Sequence, residues 1–120
     1  YELRTPELAG DTATSYDPAG HFLVVCEGDF DRESVSEAQL NSAALAFAWA
    51  AQTFDVGSDT LGGHRDFAST SCPGADLYDH VASGDLARRI DAALSSGPVQ
   101  RQSDCGPAAA ARVADIEAGR

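Results

Sequence analysis

The chain has no lysine. All eight of its basic residues are arginine, set against nineteen aspartates and glutamates, for a formal net charge of -11 over 120 residues. A surface this short of positive charge has little with which to neutralise a run of phosphates, which excludes nucleic acid as a partner. The same deficit works against docking on an anionic membrane face. Its ordinary consequence is a soluble, self-repelling surface. No apolar run approaches the roughly 20 residues that a membrane-crossing helix needs. Cysteine is scarce: Cys26, Cys72 and Cys105 allow at most one internal disulfide and leave at least one thiol over. That is too few for a disulfide scaffold. Methionine is absent, and the opening residues YELRTPELAG read as mid-domain sequence. Together these two features are expected of a processed product or a fragment.

What is present suffices for one domain with one modest core, because hydrophobic residues make up 43% of the chain. Residues 1–20 are loop-like, punctuated by Pro6, Gly10, Pro18 and Gly20. HFLVVC, residues 21–26, is a short apolar run rich in strand formers and reads as a buried central strand. Glu27-Gly28-Asp29 ends it in turn residues, and the acidic stretch EGDFDRE reads as a solvated loop. A helix is predicted next. Ser36 and Gln39 fit a capping box, and Leu40, Ala44, Phe47, Ala48 and Ala51 recur at helical spacing as far as Phe54. Trp49 widens that face, either as core packing or as a platform for a ligand. Thr60 to Phe67 is compatible with a short strand or a loop. A helical turn is expected over Leu77 to Val81, and a second amphipathic helix from Asp85 through Leu86, Ile90, Ala93 and Leu94. After Ser95 the composition becomes that of a linker, followed by an alanine-rich helix candidate. The chain therefore divides into a domain over residues 1–94 and an appendage over residues 95–120.

The chemistry concentrates in GHRDFASTSCPG, residues 63–74. Imidazole and thiolate are the borderline-soft donors that zinc takes, at about 2.0–2.1 and 2.3 Å. The eight positions from His64 to Cys72 are too many for neighbours on one helical face, but they suit a loop that returns on itself. Gly62-Gly63 and Pro73-Gly74 would stiffen such a loop. Taken as an isolated pair, the two residues are more often a surface or core histidine and a buried thiol. A cysteine–histidine hydrolase is a further reading, without an evident third orienting residue. Asp66 could orient a ring nitrogen of His64 or serve as a turn or helix-start residue. Arg65 could pair with an acid or touch substrate carboxylates. Cys26, in the predicted strand, reads as an inert buried thiol.

The whole string is more specific than the pair. GHRDFASTSCPG resembles the C-terminal metal-binding segment of the peptidoglycan recognition protein and type 2 N-acetylmuramoyl-L-alanine amidase family. CEGDFD, residues 26–31, resembles the family strand that ends in a Gly-Asn-Phe-type motif. SEAQLNSAALAFAWAAQTFDV resembles the helix after it. The resemblance covers about residues 1–94. It implies an α/β fold, a central mixed β-sheet flanked by helices and truncated at its N-terminus. It also implies a zinc ion held by two histidines and a cysteine, with His64 matching the second histidine and Cys72 the cysteine. Thr70 matches a position at which active members help to stabilise the oxyanion. The implied reaction is hydrolysis of the amide between the lactyl group of N-acetylmuramic acid and the L-alanine of the stem peptide. Zinc supports it by lowering the pKa of a bound water to about 7. The implied partner is peptidoglycan or a muropeptide, met by a monomer without a membrane span in a secreted or cell-wall-associated setting.

The chain departs from the family pattern in one important respect. The family's first zinc histidine and its catalytic tyrosine fall upstream of Tyr1, and neither Tyr1 nor Tyr16 matches the tyrosine. The loop GDTATSYDPAG has Thr12 where the family often has a histidine. His21 and His80 are the only other histidines, and both are expected to be structural or exposed. The chain alone is accordingly expected to be inactive or nearly so. A module that grips muropeptide without cutting it and a degenerate fragment without function are the competing expectations.

Overall fold

A computed structural model of the chain describes residues 2, 4–11 and 14–120. Four α-helices account for its regular structure, α1 (Glu37–Phe54), α2 (Ala75–Ala82), α3 (Asp85–Ser95) and α4 (Pro107–Glu117), with two short 3-10 turns at Ser58–Thr60 and His64–Asp66. No β-strand occurs among the described residues. The α/β expectation, with its central mixed sheet, is therefore corrected: the described residues form a small all-α domain.

HFLVVC shows why the expectation failed. Its side chains follow the alternation of a strand. Val24 and Cys26 pack against the core, Phe22 stacks near Phe47 and Trp49 with ring centroids 6.1 and 5.9 Å away, and Val25 stays 70% exposed. Yet no backbone ladder joins residues 22–26 to another described segment. A strand is a property of a pair, because its N–H and C=O groups point sideways toward a neighbour. The apolar pattern is present here and the neighbour is not.

The helices form where caps and apolar spacing predict them. The Ser36 hydroxyl accepts the Gln39 N–H at 3.1 Å and opens α1. The Gln39 side chain does not close a capping box. It reaches instead to the Glu27 carbonyl at 2.8 Å, tying the helix start to the segment before it. Ala43, Ala44 and Ala48 present a shallow surface on α1, into which Leu86 and Ile90 of α3 pack. A second cluster, Phe30, Val35, Leu40 and Leu77, sits between the 29–35 loop and α2, and Cys26 touches both clusters. Burial pushes the Cys26 thiol above its usual value, which leaves it an unreactive packing group.

EGDFDRE is more than a solvated loop. Phe30 is 4% exposed. Asp31 Oδ1 accepts the Ala75 N–H at 2.8 Å, Asp76 Oδ2 accepts the Val35 N–H at 2.7 Å, and the Asp76 N–H donates to the Phe30 carbonyl at 2.9 Å. Gly74, at the head of α2, has no side chain with which to cap the helix, so Asp31 does so from another part of the chain. On the opposite side, Arg89 of α3 pairs with Asp85 at 2.9 Å and with Glu37 of α1 at 2.8 Å. Asp85 also takes His80 Nδ1 of α2 at 2.8 Å, so His80 is structural. The His80 and Arg89 hydrogen bonds hold the Asp85 carboxyl below its ordinary value.

Past α3 the chain is strapped back to α1. The Gln52 side-chain amide exchanges two 2.9 Å hydrogen bonds with the backbone of Val99, and Arg101 lies 5.0 Å from the centre of the Trp49 ring. Trp49 is thus a packing residue capped by a cation. α4 has no buried residue.

Candidate metal site in the 63–74 loop

The 3-10 turn at His64–Asp66 and the head of α2 hold the two ends of the His64–Cys72 loop. Asp66 Oδ2 accepts the Gly63 N–H at 2.7 Å, and its other oxygen accepts the Tyr78 hydroxyl at 2.6 Å. The Tyr78 hydrogen bond, then the Gly63 N–H, keep the Asp66 carboxyl below its ordinary value, and the same contact raises Tyr78. Of the two roles open to Asp66, the structure assigns the turn. Arg65 lies over Tyr78, 4.5 Å from the ring centre, and its guanidinium donates to the Ser71 carbonyl. It makes no ion pair among the described residues. Its backbone N–H donates to the Cys72 carbonyl at 3.1 Å, so the residue after His64 is bonded directly to Cys72. A loop of eight positions is thereby folded until its two ends meet.

His64, Thr70 and Cys72 all line one open cleft of about 700 Å³, within the usual size of small-molecule sites. The 21–26 segment forms part of the same lining, and the unpaired run thus borders the candidate site. Thr70 Oγ1 accepts the Cys72 N–H at 3.2 Å. That leaves the hydroxyl proton free to donate outward, as an oxyanion-stabilising role requires. Cys72 is exposed, and none of the three cysteines is in a disulfide.

Four residues that the sequence did not single out for this role stand in the surroundings of His64. Thr14 Oγ1 lies 2.9 Å from His64 Nε2. Tyr16 packs edge-on to His64 with centroids 5.8 Å apart. Phe67 and His21 complete the aromatic wall, each within 5.7 Å of Tyr16 and 5.3 Å from one another. No spacing rule in the sequence links Thr14 to His64. Tyr1 lies outside the described residues.

The donor types suit zinc, but the number falls short. No group of three or more His, Cys, Asp or Glu side chains able to hold a metal occurs among the described residues. His21 borders the same cleft as His64 without completing such a group. His64 and Cys72 line one cleft, but the described residues bring no three donors together there, where catalytic zinc takes three from the protein. No helix among them is long and apolar enough to cross a membrane. Comparison with protein-family models, curated proteins and solved structures finds no match.

Proposed function

We propose that this chain carries the zinc loop of an N-acetylmuramoyl-L-alanine amidase, with His64 and Cys72 as two of its donors and Thr70 as a hydroxyl donor to the reacting carbonyl. The single observation that carries the reading is the convergence of His64, Thr70 and Cys72 on one cleft of ligand size, within the string whose resemblance to that family is most specific. A bound zinc would supply Lewis acidity and an activated water. The chain's own residues do the rest of the work described here. The Arg65–Cys72 backbone bond keeps the two donors on the same turn of chain. Asp66 and Tyr78 brace the histidine end, and the Asp31 cap fixes the cysteine end to the start of α2. The third donor of a working centre comes, on this reading, from outside the described residues.

A second reading, a muropeptide-binding module without hydrolysis, is favoured by the lack of a three-donor group among the described residues. A zinc titration with a competing chromophoric chelator, paired with dye release from labelled peptidoglycan, distinguishes the two. The amidase reading expects weak zinc binding that Cys72→Ser or His64→Ala abolishes, with little dye release from this chain alone. Muropeptide binding with no zinc dependence favours the module. If neither zinc nor muropeptide alters the chain, both readings fall.

A further inference from the structure

We infer that Thr14 is a positioning residue for His64: it takes the Nε2–H of the imidazole and so presents Nδ1 as the metal-binding nitrogen. The inference rests on the zinc reading of this cleft and adds a residue and a ring atom to it. A neutral imidazole has one N–H and one lone pair, and the hydrogen bond made by one nitrogen decides what the other can do. His64 Nε2 has its partner, Thr14 Oγ1, at 2.9 Å. His64 Nδ1 has no hydrogen-bond partner among the described residues, and it is not a buried atom left unsatisfied either. It is therefore accessible to solvent, in a residue that lines the cleft. Tyr16 packs edge-on against the imidazole, and the backbone of His64 belongs to the 3-10 turn.

The direction of the Thr14 bond is the content of the inference, and metal binding at Nδ1 is possible with only one of the two directions. If the hydroxyl donated to Nε2, the proton would sit on Nδ1, and the nitrogen facing the cleft could not bind a metal. If Nε2–H donates to the hydroxyl oxygen, Nδ1 is bare. Ligating histidines generally donate their second N–H to an oxygen in this way, and loss of such a partner weakens metal binding on the order of 10–100-fold. Thr14 supplies a neutral oxygen, fifty residues away in sequence.

The test has two independent readouts. Long-range ¹H–¹⁵N correlation spectra of histidine-labelled chain, recorded without metal on the neutral ring, report the His64 tautomer directly. The Nε2–H form is expected, and the Nδ1–H form overturns the inference without any variant being made. Titration with cobalt(II) alone then follows the thiolate-to-cobalt absorption that Cys72 would give. Thr14→Val is expected to weaken cobalt binding at least about tenfold, and Thr14→Ser, which keeps the oxygen, to restore it. Equal affinity in Thr14→Val and the parent chain overturns the inference, as does failure of Thr14→Ser to recover binding while the far-UV spectrum stays helical. If the parent chain gives no thiolate–cobalt band, the zinc reading fails, while the tautomer still decides the role of Thr14 at His64.

Discussion

Gly74→Ala is the most informative single change, because Gly74 joins the 63–74 loop to α2 at a point with no room. Its backbone stands at φ +93 and ψ 155, a region populated almost solely by glycine, and holding another residue there costs about 1–3 kcal/mol. An added Cβ would sit 2.7 Å from the Phe30 carbonyl carbon, 2.8 Å from its Cβ and 2.9 Å from its Cα. These neighbours are backbone and a 4% exposed side chain, so neither can swing aside, and relieving such an overlap costs roughly another 1–3 kcal/mol. The sum, about 2–6 kcal/mol, is a large part of the 5–15 kcal/mol that ordinarily holds a domain together. Gly97→Ala is the control: it also has a positive φ, +124, but its Cβ would meet nothing within 4 Å. Urea unfolding followed by Trp49 fluorescence and far-UV circular dichroism gives both values. Gly74→Ala is expected to lose the sum and Gly97→Ala to lose only the strain, about 1–3 kcal/mol. Losses that agree within about 1 kcal/mol would refute the claim that the 29–35 loop packs rigidly against the head of α2.

Truncating Leu40 or Ile90, 1% and 2% exposed, to alanine should cost about 2–5 kcal/mol each in the same assay; a loss below about 1 kcal/mol would mean that the two clusters are not the core. Ser36→Ala should cost about 0.5–2 kcal/mol through the lost cap on α1, read as a lower urea midpoint, and no change would remove Ser36 from that role. Asp85 has a folded pKa below its unfolded one, so its stabilisation is complete above the ordinary carboxylate range and is lost as pH falls through the lowered value. The urea-midpoint gap between the parent chain and Asp85→Asn should therefore be open at neutral pH and close in strong acid. A gap that persists unchanged in acid contradicts the His80–Asp85–Arg89 network. Arg101→Gln or Gln52→Ala should shift the emission of Trp49, the only tryptophan, by freeing its ring from the 97–101 strap; unchanged spectra in both would show the strap to be loose.

The helices were legible because their signals are local. Ser36 caps within three residues of itself, and Leu86 and Ile90 are four apart on one face of α3. The 21–26 run was misread for the opposite reason. Val24 and Cys26 carry the burial pattern of a strand, but pairing depends on a second segment, and no pattern within six residues can supply one. The segment from Thr60 to Phe67 was ambiguous in sequence and resolves into two 3-10 turns separated by Leu61–Gly63. These turns allow Gly63 to approach Tyr78 and Pro73 closely: a Cβ there would lie 2.9 Å from the Tyr78 ring.

The same division between local and distant signals runs through the candidate site. His64, Thr70 and Cys72 lie within nine residues, and the structure places all three on one cleft, in keeping with a motif that specifies its own turn. The groups that decide how the motif is used lie elsewhere. Asp31 caps α2 from forty-four residues away, and Thr14 reaches His64 from fifty. Neither contact leaves a periodicity or a spacing to be read. The 21–26 segment then links the misread strand to the site: no described segment pairs with it, and it borders the cleft instead of lying inside a sheet. The cleft is therefore not a pocket enclosed by regular structure. One wall is a braced loop carrying His64 and Cys72, and another is the apolar run 22–26, whose backbone groups find no partner among the described residues.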